Sequence, residues 1–410
     1  MTAVQDHVDQ PVASTDVSAK KALVASTVGY AMDGYDFLIL AFILGAIGTD
    51  LGLSPAQRGS LATWTLIGAV VGGIGFGILS DYYGRVRVLT WTILLFAIFT
   101  GLGAVAQGYW DLVTYRTIAG LGLGGEFGIG MALVAEAWPA KQRGRACSYV
   151  GLGWQAGVLL AALTTPLLLP HVGWRGMFLI GLIPGLVAFA VRWYVGEPKI
   201  FLERHASARG TAPLWLLVKD TDATKSSIGM LILCGVQNFG YYGLMIWLPS
   251  YLSSRFGYNP LQSALWISVT IVGMAFGIFV FGYFADIVGR RPALFTFQAG
   301  AAIMVIVFSQ LTGPTALLIG GAVMGIFVNG MLGGYGALLA ELYPTEARAT
   351  AENVLFNLGR GIGGFGPFAV GAVAASYSFS VAIALLAVIY VIDIVATYFL
   401  IPERKGAALQ

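Results

Sequence analysis

The chain has 410 residues, of which 57% are hydrophobic and 10% are charged, and its mean hydropathy is +0.79. A soluble domain is about 25% charged on average, so this chain has too few charges to cover the surface of a water-soluble globule. The composition also excludes a disordered chain and a disulfide-rich scaffold, and the long apolar runs argue against a β-barrel. The sequence therefore predicts an all-α membrane protein with many spans.

Twelve apolar segments are long enough to cross a membrane, for which an α-helix needs about 20 residues. We number them spans 1 to 12, and the sequence places them at 21–47, 59–79, 88–107, 110–136, 146–168, 176–196, 228–252, 263–285, 293–311, 314–341, 350–374 and 378–401. The longest polar gap divides them into six plus six. The predicted organisation is an N-terminal tail at 1–20, a six-helix bundle at 21–196, a central loop at 197–227, a second six-helix bundle at 228–401 and a C-terminal tail at 402–410.

The loops on the two sides of the predicted membrane protein differ in charge. With both termini on one side, 17 of the 23 basic residues fall on that side, and only Arg58, Arg175 and Arg255 fall in loops on the other. Loops rich in Lys and Arg stay in the cytoplasm, so we expect the termini and the central loop to be cytoplasmic. The expected location is the cell inner membrane, as a multi-pass protein.

Two short motifs occur once in each half of the chain. Gly-x-x-x-Asp-x-x-Gly-Arg occupies 77–85 and 282–290, and Glu-x-x-Pro-x-x-x-Arg occupies 136–143 and 341–348. The second copy of each motif follows the first by 205 residues, which is half the chain length. Two motifs with one offset indicate a duplicated six-helix unit. Since six spans return the chain to the same side, the two halves are related by an axis along the membrane normal.

These motifs resemble those of major facilitator superfamily transporters, and the resemblance covers nearly the whole chain. The loop motif after spans 2 and 8 is the most specific signature of that superfamily. The first copy departs from it at Val86, where a second basic residue is usual, whereas the second copy is complete at Arg290 and Arg291. The resemblance implies twelve transmembrane helices in two pseudo-symmetric six-helix bundles, with a central site lined by spans 1, 4, 7 and 10.

Residues within the spans are similar to those of particular branches of the superfamily. Asp33-Gly-Tyr-Asp36 in span 1 and Arg360 in span 11 resemble the aromatic acid/proton symporters. The Gly-Gly-Glu126 sequence of span 4 resembles sialate and monocarboxylate symporters. The resemblance implies that Arg360 and the two carboxylates of span 1 are needed for transport. It also implicates Arg116, which begins the shared Arg-x-x-x-Gly-x-Gly pattern of span 4, in proton coupling.

Asp33 and Asp36 lie about halfway along span 1, where a charge is costly unless it faces a partner or water. Their spacing of three residues puts both carboxyls on one helical face. Two neighbouring carboxylates cannot both ionise cheaply, so one is expected to carry the coupling proton near neutral pH. The alternative is that one Asp caps a broken helix or pairs with an Arg. Asp36 is favoured as the carrier, because the residue 205 positions after Asp33 is the neutral Asn238.

Arg360 lies about ten residues into span 11 among glycines, which let a ligand or a neighbouring backbone come close. A guanidinium in a cavity binds a carboxylate through two parallel hydrogen bonds. We therefore expect Arg360 to bind the carboxylate of a substrate, with Asn357 beside it. The alternative is a structural ion pair with Glu352 or Asp393.

Further polar groups in the spans complete the predicted site. Arg116 is expected either to assist coupling or to form a bridge to a neighbouring carboxylate or to backbone carbonyls. Glu126 is a second candidate proton site, and a direct pair with Arg116 is not expected because ten residues of helix span about 15 Å. Spans 7 and 10 are expected to bind the substrate by hydrogen bonds and stacking through Asn238, Tyr241, Tyr242, Asn329 and Tyr335, for which packing is the alternative role.

The charged residues of the repeated motifs are expected to control opening of the cytoplasmic side. Asp81 is placed to cap the N-terminus of a nearby helix, and it is also placed to pair with Arg143. Either contact would hold that side closed, whereas solvated charges that only set topology are the alternative. The predicted gating residues are Asp81, Arg85, Glu136, Arg143, Asp286, Arg290, Glu341 and Arg348.

The sequence predicts a secondary transporter that is not an enzyme and needs no cofactor or metal, since it contains no phosphate-binding loop and no nucleophile–base pair. The favoured function is proton-coupled uptake of a small organic anion, such as an aromatic or other carboxylic acid. A carrier of a neutral solute such as a sugar, or a proton-coupled efflux antiporter, is the alternative. The expected partners are the substrate, protons and the lipid bilayer, with no nucleic acid, and the protein is expected to act as a monomer.

Overall fold

The computed structural model describes residues 17–192, 195–198, 201–202, 213–258 and 260–405. These residues are almost entirely helical, as the composition predicts. The predicted tail before residue 17 and the middle of the central loop lie outside the described residues. The helices are Val17–Asp50 (span 1), Pro55–Tyr83 (span 2), Arg85–Leu102 (span 3), Tyr109–Ala137 (span 4), Arg143–Arg192 (spans 5 and 6), Thr221–Phe256 (span 7), Pro260–Val288 (span 8), Arg290–Gln310 (span 9), Pro314–Gly330 with Leu332–Leu342 (span 10), Arg348–Gly363 with Gly366–Ser376 (span 11) and Phe379–Leu400 (span 12).

The helix that contains spans 5 and 6 is interrupted at Gly173. This residue has φ 64° and ψ 177°, a positive φ that glycine adopts more easily than other residues. The interruption falls between 168 and 176, where the sequence predicts the loop. Short connections elsewhere include the 3₁₀ turns Gly103–Val105 and Ala140–Gln142 and the helix Pro213–Leu216, which lies in the predicted central loop.

Length and hydropathy alone identify fewer spans than twelve. Among the described residues nine helices qualify, and ten do if the two parts of span 1, bent by 46°, are counted as one. Spans 5 and 6 count once, because they run together up to Ile183. Span 11 does not qualify, because it carries Arg348, Glu352 and Arg360 and is broken before Gly366. When spans 5 and 6 are counted separately and span 11 is added, the ten become twelve.

The helices pack in two halves that repeat one pattern. In the first half span 1 packs on span 5 and span 2 on span 4, and in the second half span 7 packs on span 11 and span 8 on span 10. The largest contacts between the halves are two equivalent ones, span 5 against span 8 and span 2 against span 11, and a second equivalent pair joins span 5 to span 10 and span 4 to span 11. Every pair in one half has its equivalent six spans later, which confirms the duplication that the motifs predict.

Close packing within each half depends on glycines at equivalent positions of spans 2 and 8. A Cβ atom at Gly72 would lie 1.9 Å from the carbonyl oxygen of Leu121, and one at Gly277 would lie 2.1 Å from that of Ile326. No larger residue fits at either position unless backbone moves. The two glycines therefore allow the short distances between spans 2 and 4 and between spans 8 and 10.

Both loop motifs contain a glycine with positive φ, 111° at Gly84 and 110° at Gly289, where one span turns into the next. A glutamate from a distant segment then accepts hydrogen bonds from the first backbone N–H groups of the following helix. Glu197 caps span 3 in this way at 2.8, 3.0 and 3.1 Å, and Glu403 caps span 9 at 3.0 Å. The sequence places both glutamates in a loop and a tail, whereas the structure shows them joining the ends of two helices.

Candidate substrate and proton-coupling site

A polar cavity lies between the two halves, midway along the spans. Spans 1, 5, 7, 10 and 11 contribute to its wall, so spans 5 and 11 take part where the resemblance implied span 4. The wall combines hydrogen-bonding side chains with aromatic rings. The lining residues are Tyr30, Trp154, Gln237, Asn238, Tyr241, Tyr242, Asn329, Leu332, Phe356 and Arg360, which include five of the seven substrate-binding residues expected from the sequence.

Arg360 supplies the charge among the lining residues. It is 4% exposed, and its Nε donates a hydrogen bond to the Tyr242 hydroxyl at 2.9 Å. The guanidinium carbon lies 5.2 Å from the ring centre of Trp154 and 5.6 Å from that of Phe37, within the range of cation–π attraction. The aromatic wall thus stabilises the cation without neutralising it.

No ion pair neutralises Arg360 within the described part of the chain. The alternative pairing with Glu352 or Asp393 is not formed. Asp393 instead accepts a hydrogen bond from Gln298 at 3.0 Å. A single hydroxyl acceptor uses only one of the five N–H donors of a guanidinium. A carboxylate is the ligand whose geometry matches the remaining N–H groups.

Glycines on span 11 explain why Arg360 reaches span 7. A Cβ atom at Gly359 would lie 2.5 Å from the Cβ of Cys234, and one at Gly363 would lie 2.4 Å from the Cβ of Asn238. Span 11 therefore packs directly against span 7. This close approach brings Arg360, which follows Gly359, to the Tyr242 hydroxyl.

The other polar groups of the wall are held by hydrogen bonds between helices. Gln237 donates to the side-chain oxygen of Asn329 at 2.5 Å, which joins span 7 to span 10. Trp154 donates from its indole N–H to the Tyr241 hydroxyl at 3.2 Å, which joins span 5 to span 7. Asn238 donates to a carbonyl of its own helix at 2.8 Å. The cavity thus presents amide and hydroxyl groups at defined positions beside aromatic rings.

Two of the predicted substrate residues lie outside the cavity wall. The Asn357 amide donates at 2.9 Å to the carbonyl of Gly124 in span 4. The Tyr335 hydroxyl donates at 3.1 Å to the carbonyl of Leu233 in span 7. Both side chains are buried and join helices, because the turn of the helix directs them at neighbouring backbone rather than into the cavity.

The sequence analysis did not select five of the ten residues that line the cavity. Tyr30 lies one turn before Asp33 and Phe356 one turn before Arg360, so helical spacing from those charges is a signal that finds them. Trp154 carries no such signal, since it reaches the cavity through the packing of span 5 against span 1, where its backbone lies opposite Gly34. The lining residues that were not selected are Tyr30, Trp154, Gln237, Leu332 and Phe356.

Asp36 and Arg116 form a buried ion pair between spans 1 and 4. Arg116 Nη2 lies 2.6 Å from Asp36 Oδ2, and Nη1 donates to Oδ1 at 3.1 Å. The hydroxyl of Thr100 also donates to Asp36 Oδ1 at 3.3 Å, and Arg116 Nε donates to Thr65 at 3.3 Å. For each of these two residues the sequence left open a structural pair as the alternative to a role in coupling. The structure contains that pair.

Asp33 lies one turn from Asp36 and is 3% exposed. It interacts electrostatically with Arg360 and Tyr30, two residues of the cavity wall. The two carboxyls of span 1 therefore face different cations. Glu126 is buried in span 4, and the pairing of Arg116 with a residue of span 1 agrees with the expectation that it does not pair with Glu126.

The Glu136 network, which consists of Asp81, Arg85, Glu136 and Arg348, joins the halves at the end that carries the basic loops, which we call the basic end. Arg85 pairs with Asp81 at 2.5 Å and with Glu136 at 3.1 Å. Arg348 pairs with the same Glu136 oxygen at 2.8 Å. Since Arg348 belongs to the second half and the other three to the first, the network holds the halves together.

The Glu341 network consists of the equivalent residues Asp286, Arg290, Glu341 and Arg143, each 205 positions away from its counterpart. Arg290 pairs with Asp286 and with Glu341, both at 2.8 Å, and Arg143 pairs with Glu341 at 3.1 Å. Here Arg143 is the residue from the first half. These side chains are at most 4% exposed, and removing one partner of a buried pair leaves a charge without compensation.

The motif aspartates also cap helices of the opposite half. Asp81 accepts a hydrogen bond from the backbone N–H of Thr350, in the first turn of span 11, at 2.8 Å. Asp286 accepts from the backbone N–H groups of Gly144 and Arg145, in the first turn of span 5, at 3.1 Å each. A carboxylate at a helix N-terminus is favourable for the helix dipole. Each motif loop therefore contacts the half to which it does not belong.

The alternative pairing of Asp81 with Arg143 is not formed, because Arg143 belongs to the other network and binds Glu341. The opposite end of the molecule is held differently. Its ion pair, Asp50 with Arg175 at 2.5 Å, joins two segments of the first half, and no ion pair of the described residues joins the halves there. The structure is therefore closed at the basic end by ionic contacts.

Twelve helices in two pseudo-symmetric bundles, with a polar cavity enclosed between them, define a polytopic membrane carrier. The sequence matches the Major Facilitator Superfamily over residues 26–277 and again over 230–409, and the chain belongs to this family. It is thus a transporter and not an enzyme, as the sequence predicts.

Individual relatives agree with this assignment. A protein of Haemophilus influenzae described as a candidate metabolite transport protein is 63% identical over 397 residues, which cover 95% of this chain and 98% of that protein. The cis,cis-muconate transport protein of Acinetobacter baylyi is 30% identical over 396 residues, or 94% and 95% of the two chains. The proton:xylose symporter XylE bound to 6-bromo-6-deoxy-D-glucose has the same fold, with a TM-score of 0.81 over 97% of this chain and 98% of that one at 19% identity.

Proposed function

We propose that this transporter couples the uptake of a small organic anion to protons moving down their gradient. The observation that carries the proposal is Arg360, a buried cation in the cavity wall that no carboxylate of the described chain neutralises by an ion pair. A buried charge without an ionic partner is costly, so an anionic ligand that binds it recovers interaction energy. The guanidinium fork is suited to a carboxylate, which it binds through two hydrogen bonds.

The shape and lining of the cavity support a compact, unsaturated or aromatic acid. The rings of Tyr30, Trp154 and Phe356 offer faces on which a planar group can stack. One relative is named for cis,cis-muconate, an unsaturated carboxylate, which agrees with this chemistry. The amides of Gln237 and Asn329 supply hydrogen bonds for a second polar group of the substrate.

Proton coupling in this proposal involves Asp33 rather than Asp36. Both oxygens of Asp36 already bind Arg116 in a structural pair. Asp33 interacts with Arg360, so its negative charge competes with an incoming carboxylate for the same guanidinium. Protonation of Asp33 removes that competition and favours anion binding. Proton and substrate then bind together, which is the requirement for symport.

The proposed orientation places the basic end, both termini and the central loop in the cytoplasm of a cell whose inner membrane holds the protein. The excess of Lys and Arg in the loops at this end supports that orientation. In the proposed cycle, the Glu136 and Glu341 networks close the cytoplasmic side while the cavity binds its ligand. We propose that one monomer suffices, since the cavity is built by the two halves of one chain.

The test is uptake into proteoliposomes with an imposed pH gradient. The panel comprises cis,cis-muconate, 4-hydroxybenzoate, nicotinate, lactate, sialic acid and the neutral sugar xylose. We expect gradient-dependent accumulation of at least one carboxylate, abolished by a protonophore and by Arg360→Ala. Arg404→Ala, at an exposed arginine near the C-terminus, is the matched control and should transport like the wild type. Accumulation of xylose alone, or unchanged acid uptake by Arg360→Ala, would contradict the proposal.

A further inference from the structure

The two ionic networks at the basic end are equivalent at four positions and differ at a fifth. At an offset of 205 residues, each charged residue of the Glu136 network has a counterpart of the same charge in the Glu341 network. One turn after Arg348 on span 11 stands Glu352, and one turn after Arg143 on span 5 stands Cys147, its equivalent by the same offset. One network thus carries an additional carboxyl group where the other carries a thiol.

Glu352 is fully buried, with 0% of the residue exposed. Neither of its carboxyl oxygens forms a hydrogen bond within the part of the chain that the structure describes. The charged and titratable groups that face it come from its own helix and from spans 2, 3, 4 and 5. They are Arg348, Asp81, Arg85, Glu136 and Cys147.

The charges around Glu352 are already balanced without it. Arg85 and Arg348 pair with Asp81 and Glu136, so two guanidinium groups face two carboxylates. An ionised Glu352 would add a third negative charge, buried and without a hydrogen-bond donor. Burial of such a charge costs many kcal/mol, and the group neutralises instead. The closed basic end therefore fits a neutral, protonated carboxyl group at this position.

We propose that Glu352 is a proton-binding site that controls the basic end: the end closes with Glu352 protonated and opens when Glu352 loses its proton. Opening separates span 11 from spans 2 and 4, on which it packs in the closed structure, and admits water to the carboxyl group. Water solvates the carboxylate that burial disfavours, so the proton leaves on that side. Closing then requires that a proton bind again, because the ionised group cannot return to a site where two carboxylates already occupy both arginines.

The direction of the pH effect follows from this scheme. The closed state holds one more proton than the open state, so low pH favours the closed basic end and high pH favours the open one. In a proton-coupled cycle this exit site would lie between the cavity and the cytoplasm. That role in transport rests on the proposed function, whereas the pH dependence of opening does not, since it requires neither substrate nor gradient.

The experiment measures the distance across the basic end as a function of pH. Spin labels are placed at Tyr83→Cys and Ile287→Cys, two exposed positions on the ends of spans 2 and 8, in a Cys147→Ala/Cys234→Ala background. Double electron–electron resonance on the substrate-free protein in nanodiscs, from pH 5 to pH 9, gives the closed and open populations. We expect the fraction of the background protein that shows the longer, open-state distance to increase with pH.

Glu352→Gln keeps the shape of the protonated side chain and cannot release a proton, so it should remain closed over the whole pH range. Glu352→Ala should also lose the pH dependence, which keeps the test valid if one variant folds poorly. Asp393→Asn is the matched control, because Asp393 is an equally buried carboxyl group on span 12 that belongs to neither network, and should leave the pH dependence unchanged. If Glu352→Gln opens with pH as the background protein does, the proposal is wrong, even if proton-driven uptake is confirmed.

Discussion

Individual charged residues in the membrane interior fall into two groups according to their partners. Asp36 and Arg116 neutralise each other, and the motif residues of the two networks do the same at the basic end. Arg360, by contrast, faces aromatic rings and one hydroxyl in the cavity wall. Charges that pair hold helices together, whereas a charge that lacks an ion pair is available to a ligand. The absence of an ion pair among the described residues is therefore what marks Arg360 as the proposed substrate-binding residue.

Arg360→Lys should weaken binding of the organic acid by about 1.5–3 kcal/mol, the range for hydrogen bonds to charged groups. Lysine keeps the charge but presents a point-like ammonium in place of the planar fork. Isothermal titration of the purified protein with the substrate identified in the uptake panel measures the change. Arg404→Lys serves as the control, and an unchanged affinity in Arg360→Lys would show that the fork does not bind the carboxylate.

Asp33→Asn should abolish accumulation of substrate against its gradient while exchange of labelled for unlabelled substrate continues. Asparagine resembles the protonated carboxyl and releases no proton, so binding persists and coupling is lost. Parallel measurements of pH-driven uptake and counterflow separate the two activities. Uphill accumulation with the wild-type pH profile would move the coupling proton to another group, with Glu126 as the next candidate.

Asp36→Asn should instead lower the free energy of unfolding by about 3–5 kcal/mol, because it leaves the buried Arg116 without its counter-ion. Thermal unfolding in detergent, compared with Asp33→Asn, tests this difference between two carboxyls one turn apart. Equal destabilisation by both substitutions would show that the ion pair with Arg116 does not distinguish them.

Small residues, rather than large apolar side chains, set the distance between several pairs of helices in this protein. Gly72 in span 2 and Gly277 in span 8 each face a carbonyl oxygen of the neighbouring helix at a distance that excludes a Cβ atom. Gly359 and Gly363 in span 11 perform the same task against span 7 and thereby bring Arg360 to the cavity. Between helices in a membrane, close backbone contact replaces the hydrophobic effect as the source of packing energy.

Gly72→Ala should therefore destabilise the protein by about 1–3 kcal/mol through overpacking against Leu121. Gly75→Ala, in the same helix, is the matched control, because a Cβ atom at Gly75 meets no atom within 4 Å. The higher helix propensity of alanine should leave Gly75→Ala unchanged or stabilised by up to about 1 kcal/mol. Thermal unfolding in detergent measures both, and a similar loss in the two variants would argue against the close approach.

The molecule as a whole is two copies of one six-helix unit joined across a cavity. The equivalent contacts of span 5 with span 8 and of span 2 with span 11 form the largest part of the seam, and the two networks hold it closed at the basic end. In our proposal, the departure from symmetry at Glu352 and Cys147 makes the two networks respond differently to protons.

Cysteine labelling tests the proposed orientation of the whole chain. Cysteines at Trp110 and Tyr377, exposed positions at the end away from the basic loops, should react with a membrane-impermeant reagent added outside the cell. Cysteines at Arg87 and Arg404, exposed at the basic end, should react only after permeabilisation. Equal reaction at all four positions in intact cells would contradict the orientation.

The sequence by itself determined the class of the molecule, because composition and apolar length act independently of how helices pack. The repeated motifs, with one offset of 205 residues, likewise revealed the duplication, and a charge within a span marked Asp33, Asp36, Arg116 and Arg360 as sites of interest. These inferences need only the position of a residue along one helix. They do not need to know which helix lies opposite.

Tertiary structure alone decided which of these residues meet. Asp36 and Arg116 are 80 residues apart in the chain, and nothing in either span indicates that they pair. Packing between helices also decides that Trp154 lines the cavity and that Asn357 and Tyr335 do not. Helical periodicity specifies the face on which a side chain lies, but the rotation of that face toward one neighbour or another is set by packing among all twelve helices.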